Sequence, residues 1–519
     1  MTADGTDEGC VLAIDLGSGG PKVALVDRTG STLAWSGTSV TTTFLPEGGA
    51  EQDPQAMWSA VVQATRRTLE IAGSHPLILA VAVTSQYMSI VPVRADGTPT
   101  GPCIMWMDTR GVQNNLALLN DDSFALFLDR HGLIPLPSGN DDIAHISVLR
   151  DLHPGAYEDA AYFVEPMDYL NARLTGRVCA TQSTSFGTLT CDNRTWGLTE
   201  RDPELVAATG LDPSRLPPLV PMTGFVGAVS AEAAADLGIE RGIPVTTATI
   251  DSITSAIGTG ALDSCHGAIV VGTTSVMVSH IAEKRGDIRA GLLAVPSPVA
   301  GRYFVMAENG VGGRALEWFL RSIVYANDAF TEATVAGDLP DDAYDRVMHA
   351  AASIPVGADG VQFLPWLLGS IAPEPDDDVR AAFVGLSLHH GRAHLARAVL
   401  EGVALNLAWL LPHVEAFVGA SFPVLRFGGG AAQSEVWAQI LADALDRPVE
   451  RLEDPRATNA RGAAFLAFEA LGLLALEDVP DLLRIAGRHE PDPASREPMS
   501  AALRRLRSLH PPLASLKGA

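Results

Sequence analysis

Two short glycine turns, one flanked by an aspartate and a lysine, are the part of this sequence best suited to chemistry. In VLAIDLGSGGPKVALV, from Val11, an apolar run carries Asp15 near its end. It then enters the turn Gly17-Ser18-Gly19-Gly20 and leaves past Lys22. Successive backbone N–H groups in such a turn form a nest for an anion, and glycine lets the backbone approach phosphate oxygens closely. A carboxylate two residues before the turn suits a core badly and suits Mg²⁺ well, since that cation takes carboxylate and water oxygens beside phosphates. Lys22 is one of three lysines, with Lys284 and Lys517, and from the returning strand it reaches a transferred phosphoryl group. A second turn, Gly272-Thr273-Thr274-Ser275, lies in GAIVVGTTSVMVSHI and offers the same backbone donors. Either turn alone reads first as an ordinary hairpin; Asp15 and Lys22 turn the first toward phosphate. Asp251 opens Asp-Ser-Ile-Thr ahead of an apolar helical run, a pattern that reads as a helix N-cap.

Other phosphate and catalytic signatures fail. A P-loop needs Gly-Lys-Ser/Thr, and the chain has no Gly-Lys dipeptide. GVGGRA, from Gly310, fits the weak dinucleotide pattern after an apolar run, with Asp328 about twenty positions on. The stretch YANDAFTEATVAGDLPDD that follows shows no second strand to complete a βαβ unit. HHGRAH, from His389, lacks the glutamate of a zinc protease motif and reads as a solvated helix start. Asp376, Asp377 and Asp378 read as a solvated loop, and no GxSxG elbow is present.

The elements that must position these residues follow from periodicity. Both glycine turns sit between apolar runs and read as β-hairpins; superposing Gly17 on Gly272 suggests two similar lobes with one hairpin each. Between them the pattern predicts a helix over 54–73 and a strand over 78–84. Later come a long helix from Arg392 and a strand, turn and helix in FPVLRFGGGAAQSEVWAQILADAL. The Pro/Arg-rich end after about Pro480 reads as a peripheral appendage. The expected organisation is an N-terminal lobe over 8–259, a C-terminal lobe over 260–480 and an appendage over 481–519. At 519 residues, 47% hydrophobic and 19% charged, the chain is globular and too long for one core. Acidic residues outnumber basic ones 61 to 36, for a net charge of −25, which speaks against nucleic acid and anionic membranes as partners. The opening MTADGTDEGC has no basic region before an apolar run, and no uninterrupted apolar stretch reaches the ~20 residues of a membrane helix. Five scattered cysteines read as buried thiols in a reducing compartment, so a cytoplasmic location is expected.

In order along residues 10 to 475, the motifs resemble those of the FGGY carbohydrate kinases. AIDLGSGGPK resembles the family's first phosphate loop, AEQDPQAMW its Glu-Gln-Asp-Pro segment and GPCIMWMDTRG its Trp-x-Asp-x-Arg stretch. PMDYLNARLTG is similar to its Asp-Tyr-Leu and Leu-Thr-Gly signature, ATIDSITSAIGTGA to the segment with the catalytic aspartate, and VVGTTSVM to the second phosphate loop. RAVLEGVALNL, GGGAAQSEVWAQILADAL and ARGAAFLA resemble its C-terminal lobe. The resemblance implies an α/β fold of two ribonuclease-H-like, actin-like lobes around a central cleft, and an enzyme that phosphorylates a sugar hydroxyl with ATP and Mg²⁺.

By that resemblance Asp251 is the general base and Asp15 supports Mg²⁺. Gly17, Ser18, Gly19, Lys22, Gly272, Thr273 and Thr274 hold phosphates, Gly429, Gly430 and Ser434 lie along the adenosine, and Gly313 lines the same cleft. Gln86, Tyr87, Met88, Trp106, Asp108 and Ser252 fall at sugar contacts, with Arg110 beside Asp108 behind the pocket. Tyr87 reads equally as core filling, and the Asp108–Arg110 pair as a surface pair. The pattern departs from the family at Tyr87 and Met88, where glycerol kinases carry Arg-Glu and xylulokinases a histidine. It departs again at Ser252, at Thr181-Gln182-Ser183, at Gly369-Ser370-Ile371 and at Gly19. The acceptor therefore stays open among pentuloses such as xylulose, related ketoses, aldonates and polyols. A homodimer is the candidate assembly. Two rival readings are an actin-like ATP-binding regulatory or assembly protein, and a dinucleotide-dependent oxidoreductase using the 310 loop.

Overall fold

The computed structural model describes residues 9–73, 76–326, 328 and 339–516. Most of the stretch read as lacking a strand after the 310 loop lies outside them.

β1 (Cys10–Gly17) and β2 (Gly20–Val26) pair antiparallel, with Asp15 directly opposite Lys22. β3 (Thr32–Gly37) continues the ribbon. Helix α1 (Pro54–Ala72) leads into β4 (Ile78–Ser85), which lies parallel to β1, and β5 (Pro244–Thr246) lies parallel to β4. The strand order is therefore β3-β2-β1-β4-β5. After α2 (Asp251–Gly258) the pattern starts again. β6 (Gly267–Val271), β7 (Thr274–Ile281) and β8 (Tyr303–Val311) form an antiparallel ribbon, followed by helix α3 (Gly313–Phe319). β9 (Leu425–Gly428) is parallel to β6 and β10 (Val449–Leu452) parallel to β9. The order β8-β7-β6-β9-β10 repeats the first sheet strand for strand. The paired hairpins read in the sequence are thus the first two strands of two equivalent sheets.

A strand covered on both faces reads as a continuous apolar run, and β1 is buried from Cys10 to Leu16. Leu12 and Ile14 face the cluster holding Met57, Trp58 and Val61 of α1. Val11 and Ala13 face Ala460, Ala463, Ala464 and Ala467. Those alanines belong to a helix from the second half of the chain, Thr458–Ala470. α1 is set locally: the Asp53 carboxylate accepts from Gln55 N, Pro54 takes the first turn and Gly73 ends it at φ 68°. The helix Arg392–Val418 is long and apolar enough to cross a membrane by composition, but it is mostly buried in the C-terminal core.

The helix Thr458–Ala470 meets α2 at two glycines. A Cβ on Gly258 would overlap the carbonyl of Thr458, and one on Gly462 would overlap that of Thr254. Residues 259–266 then connect α2 to β6.

The segment from 481, read above as an appendage, is built into the second sheet and its core. Strand β11 (Ile485–His489) pairs antiparallel with β10. A helix over Arg496–Ala514 buries Met499, Leu506 and His510 against Trp366 and Trp409. Its Pro/Arg-rich composition hides a helix that is apolar on one face only.

Gly462→Ala is expected to lower stability by about 1–3 kcal/mol through overpacking at this crossing, whereas Gly155→Ala, with open space around it, leaves stability unchanged. Denaturant unfolding of the two variants checks this.

Candidate active site

The first turn is held from several sides. Asp15 is 3% exposed; its Oδ2 lies 3.9 Å from Lys22 Nζ and accepts from Asn459 Nδ2 at 3.3 Å. Its Oδ1 is buried with no hydrogen-bond partner. Burial raises the Asp15 pKa, and Lys22 and Asn459 pull it back. A buried, unpaired carboxylate oxygen beside a phosphate-sized nest fits a hard cation completed by water and phosphate oxygens; among the described residues no cluster of three or more protein ligands competes with it. At Gly20, φ is +126° and a Cβ would strike the backbone of Thr38, so the turn requires glycine there. Ser18 Oγ donates to Gln86 Oε1 at 2.5 Å and accepts from Trp106 Nε1 at 2.9 Å, while its carbonyl accepts from Gln52. Its one hydroxyl proton is already used, so a phosphate here meets the Ser18 backbone N–H rather than the side chain.

The second turn is built by close backbone packing. Gly272 and Thr273 are exposed at the tip. Gly272 O accepts from Gly313 N at 2.8 Å; Thr273 O accepts from Gly312 N and Arg314 N at 3.1 and 3.3 Å. These N–H groups are therefore spent on the hairpin and are not free for a dinucleotide pyrophosphate, which removes the oxidoreductase reading of the 310 loop. A Cβ on Gly313 would lie 2.5 Å from Gly272 O, and one on Gly429 (φ +83°) 2.6 Å from Val271 O. Gly430 has open space. Ser434, expected along an adenosine, accepts from Trp437 N at 3.1 Å and caps the helix Glu435–Leu445. The start of the helix Thr458–Ala470 ties the turns together. Thr458 packs beside Gly428 and donates to Pro455 O, which also accepts from Gly429 N, while Asn459 reaches Asp15.

Asp251 is the first residue of α2, not its cap: Ile250 holds the N-cap position with no side-chain bond. The Asp251 carboxylate accepts from Ser252 Oγ at 3.2 Å, which gives Ser252 a partner other than a sugar. Burial first, then the nearby Asp15 charge, push its pKa up to about 7 against the pull of Ser252 and Lys22. The carboxylate is thus not held ionised, as an aspartate opening a helix at a cleft would be.

Beyond β4, Gln86 N donates to Leu16 O, so this segment continues from the first turn. Met88 takes a left-handed conformation, φ 55°, rare for a side chain of this kind. The Glu165 carboxylate holds it there, accepting from Met88 N at 2.8 Å and Ser89 N at 3.1 Å. Burial and, next, the adjacent Asp142 drive Glu165 well above the usual range; burial with neighbouring carboxylates does the same to Asp142. The Asp142 charge thus opposes the ionisation of Glu165. Trp106 N donates to Ser89 Oγ, fixing the indole over Ser18. Tyr87 is neither pure core nor isolated: its hydroxyl meets the Met306 sulfur of β8, across the lobes.

Asp108, expected at the sugar, is fully buried and saturated. It accepts from Ala50 N, Arg110 N and both Arg110 Nε and Nη2, and Arg110 continues to Glu51 and His153. It braces the Trp106 loop, and the pair is interior rather than on the surface. Three features escape the sequence reading. Asn459 gives no signal beyond a polar residue at a helix start. The Asp142–Glu165 pair joins distant segments. Glu308 lies inside the apolar run YFVMAENG, the same kind of misplaced carboxylate that singled out Asp15; burial pushes it up to about 7.

The family model described as "FGGY family of carbohydrate kinases, N-terminal domain" matches residues 10–258, and its C-terminal counterpart matches 267–471. The chain is 24% identical over 463 residues to the xylulose kinase of Bacillus subtilis (strain 168), covering 88% of this chain and 87% of that one. It is 25% identical over 486 residues to the gluconokinase of Bacillus licheniformis, covering 93% and 91%. The crystal structure of xylulose kinase from Rhodospirillum rubrum superposes with a TM-score of 0.80 at 28% identity over 98% of this chain and 99% of that one.

Two outcomes follow from this electrostatics. Arg110→Met leaves Asp108 buried without its partner and is expected to cost roughly 3–5 kcal/mol. Arg94→Met, which breaks an exposed pair with Asp159, is expected to cost about 0–1 kcal/mol in the same denaturant titration. Folding raises the Asp251 pKa from 3.8 to about 7, so between those values the native state binds more protons than the unfolded chain. The native state therefore loses stability as pH rises through that window. In metal- and nucleotide-free protein, the melting temperature of Asp251→Asn is expected to gain on wild type from pH 4 to pH 8, and a constant difference contradicts the assignment.

Proposed function

The chain belongs to the FGGY family of carbohydrate kinases, and we propose that Asp251 is the general base with which it moves the γ-phosphoryl group of Mg-ATP to its acceptor. The acceptor hydroxyl belongs to a pentulose such as xylulose, or to a related ketose, aldonate or polyol; the relatives named xylulose kinase and gluconokinase support that range. The observation that carries the reading is Asp251 itself: a carboxylate titrating near neutrality, close enough to Asp15 to feel its charge, at the junction of the two lobes. A base works best when its pKa lies near the working pH.

In the transfer, the acceptor O–H gives its proton to the Asp251 carboxylate as its oxygen bonds to the γ-phosphorus. The bond from that phosphorus to the β–γ bridging oxygen breaks, and ADP leaves with the electron pair. The transition state is loose, so alignment and charge neutralisation outweigh covalent help. The nests at Gly17–Gly19 and Gly272–Thr274 hold the phosphate chain from the two lobes, and Lys22 meets the transferred group. The orphaned Asp15 oxygen is the group that would hold Mg²⁺, which neutralises phosphate charge when bound. Gly430 leaves room along the nucleoside, with Gly429 packed on Val271 beside it, and Gln86 and Trp106 link the first nest to the acceptor pocket through Ser18. A net charge of −25 and free, mostly buried cysteines suit a cytoplasmic enzyme acting on small molecules.

Asp251→Asn is expected to lower kcat roughly a hundredfold or more with nucleotide binding retained. An ADP-release assay over ketoses, aldonates and polyols, beside a nucleotide titration, measures both; wild-type turnover in the variant removes Asp251 from the mechanism.

A further inference from the structure

A strand of the second lobe faces the segment that carries Tyr87. β7 and β8 pair in a register that sets Val276 opposite Glu308, and Val278 opposite Met306. Residues two apart on a strand share a face, so Met306 and Glu308 point the same way. That way is the N-terminal lobe, since Met306 meets the Tyr87 hydroxyl, and Val276 and Met306 pack on a core cluster shared by both lobes. Glu308 is therefore a carboxylate on an otherwise apolar wall, beside the tyrosine that follows Gln86. Among the described residues its carboxylate has no hydrogen-bond or ion-pair partner, and burial alone governs its titration. A partly buried acid with no partner is costly unless a ligand supplies one.

The surroundings decide what that ligand is. The charges felt by Tyr87 are Glu308, Asp251, Glu165 and Asp142, all acidic. Arg110 is committed to Asp108 and Glu51, and Lys22 stands at Asp15 beside the phosphate turn. An acceptor that brings its own carboxylate would add like charge where these two cations already have acidic partners, at a cost of several kcal/mol. Above about pH 7, where Glu308 is ionised, it is acceptor-only, and neutral hydroxyl groups fit it as donors.

We propose that Glu308, from the C-terminal lobe, accepts hydrogen bonds from the hydroxyls of the acceptor and restricts it to neutral polyhydroxy compounds, ketose or polyol, excluding aldonates. This rests on the kinase reading above and narrows it.

Wild-type enzyme with saturating Mg-ATP is assayed for ADP release on D-xylulose, other ketopentoses, xylitol and D-gluconate. The best neutral acceptor is expected to exceed gluconate in kcat/KM by about a hundredfold or more, the size of an uncompensated like-charge contact. Glu308→Gln, equal in size and uncharged, is expected to raise the KM of that acceptor roughly tenfold, the order of one charged hydrogen bond. It also shrinks the preference over gluconate, with kcat and the KM for ATP little changed. Glu308→Asp keeps the charge and is expected to keep the discrimination. Gluconate used as well as any neutral sugar overturns the inference and leaves the kinase reading standing. So does a Glu308→Gln variant whose KM is unaltered, or whose kcat, ATP affinity and melting temperature fall together. If the wild type binds ATP yet phosphorylates no acceptor of either class, both fall.

Discussion

The contact between α2 and the helix Thr458–Ala470 fixes where everything else in the cleft can stand. Ordinary helix pairs keep their axes 8–10 Å apart because side chains fill the gap. Here Gly258 and Gly462 remove the side chains, and each backbone lies against the other's carbonyls. α2 begins with Asp251, and its partner begins with Thr458 and Asn459. The second lobe thus presents Asn459 to Asp15 of the first, and Thr458 sits beside the strand end that leads to Gly429. Small shifts at this crossing move Asp251 relative to Asp15. The alanines of the partner helix continue the principle, letting it lie flat on β1 and β2.

On that frame the protein builds a site with too many acids. Glu308, Asp251, Glu165 and Asp142 all bear on Tyr87, Asp15 bears on Asp251, and burial raises every one of the five. Such a concentration costs stability in the empty protein and reads as function rather than folding. The contrast with Asp108 is instructive. That carboxylate is buried as deeply, yet backbone amides and Arg110 satisfy it, and its task is to hold the Trp106 loop. Burial alone does not mark a residue as chemical; burial without partners does.

A single hydroxyl couples the two halves of the site. Ser18 lies in the first glycine turn and its Oγ joins Gln86 to Trp106, so that turn and the segment after β4 share one hydrogen-bond chain. Met88, held at positive φ by Glu165, continues that chain into the strained segment that carries Tyr87. Strain of this kind persists only where surrounding structure over-determines it, and two backbone donors to one carboxylate supply that determination.

Local chemistry was legible in the residues themselves. Alternation into and out of a glycine turn specifies a hairpin, and Asp15 and Lys22 stand opposite each other because a two-residue turn allows one register. The repeat at Gly272 and the Asp53-Pro54 start of α1 are likewise written within a few positions. Tertiary structure alone decided the rest. Asp251 lost the cap to Ile250, the C-terminal segment joined the second sheet, and Asp108 and Ser434 were taken up by partners. Asp15 found Asn459 444 residues away, and Tyr87 met Met306 219 residues on. The division has a physical cause: backbone preference acts over one turn of chain, whereas burial, charge and the satisfaction of a polar atom depend on whatever distant segment folds against it.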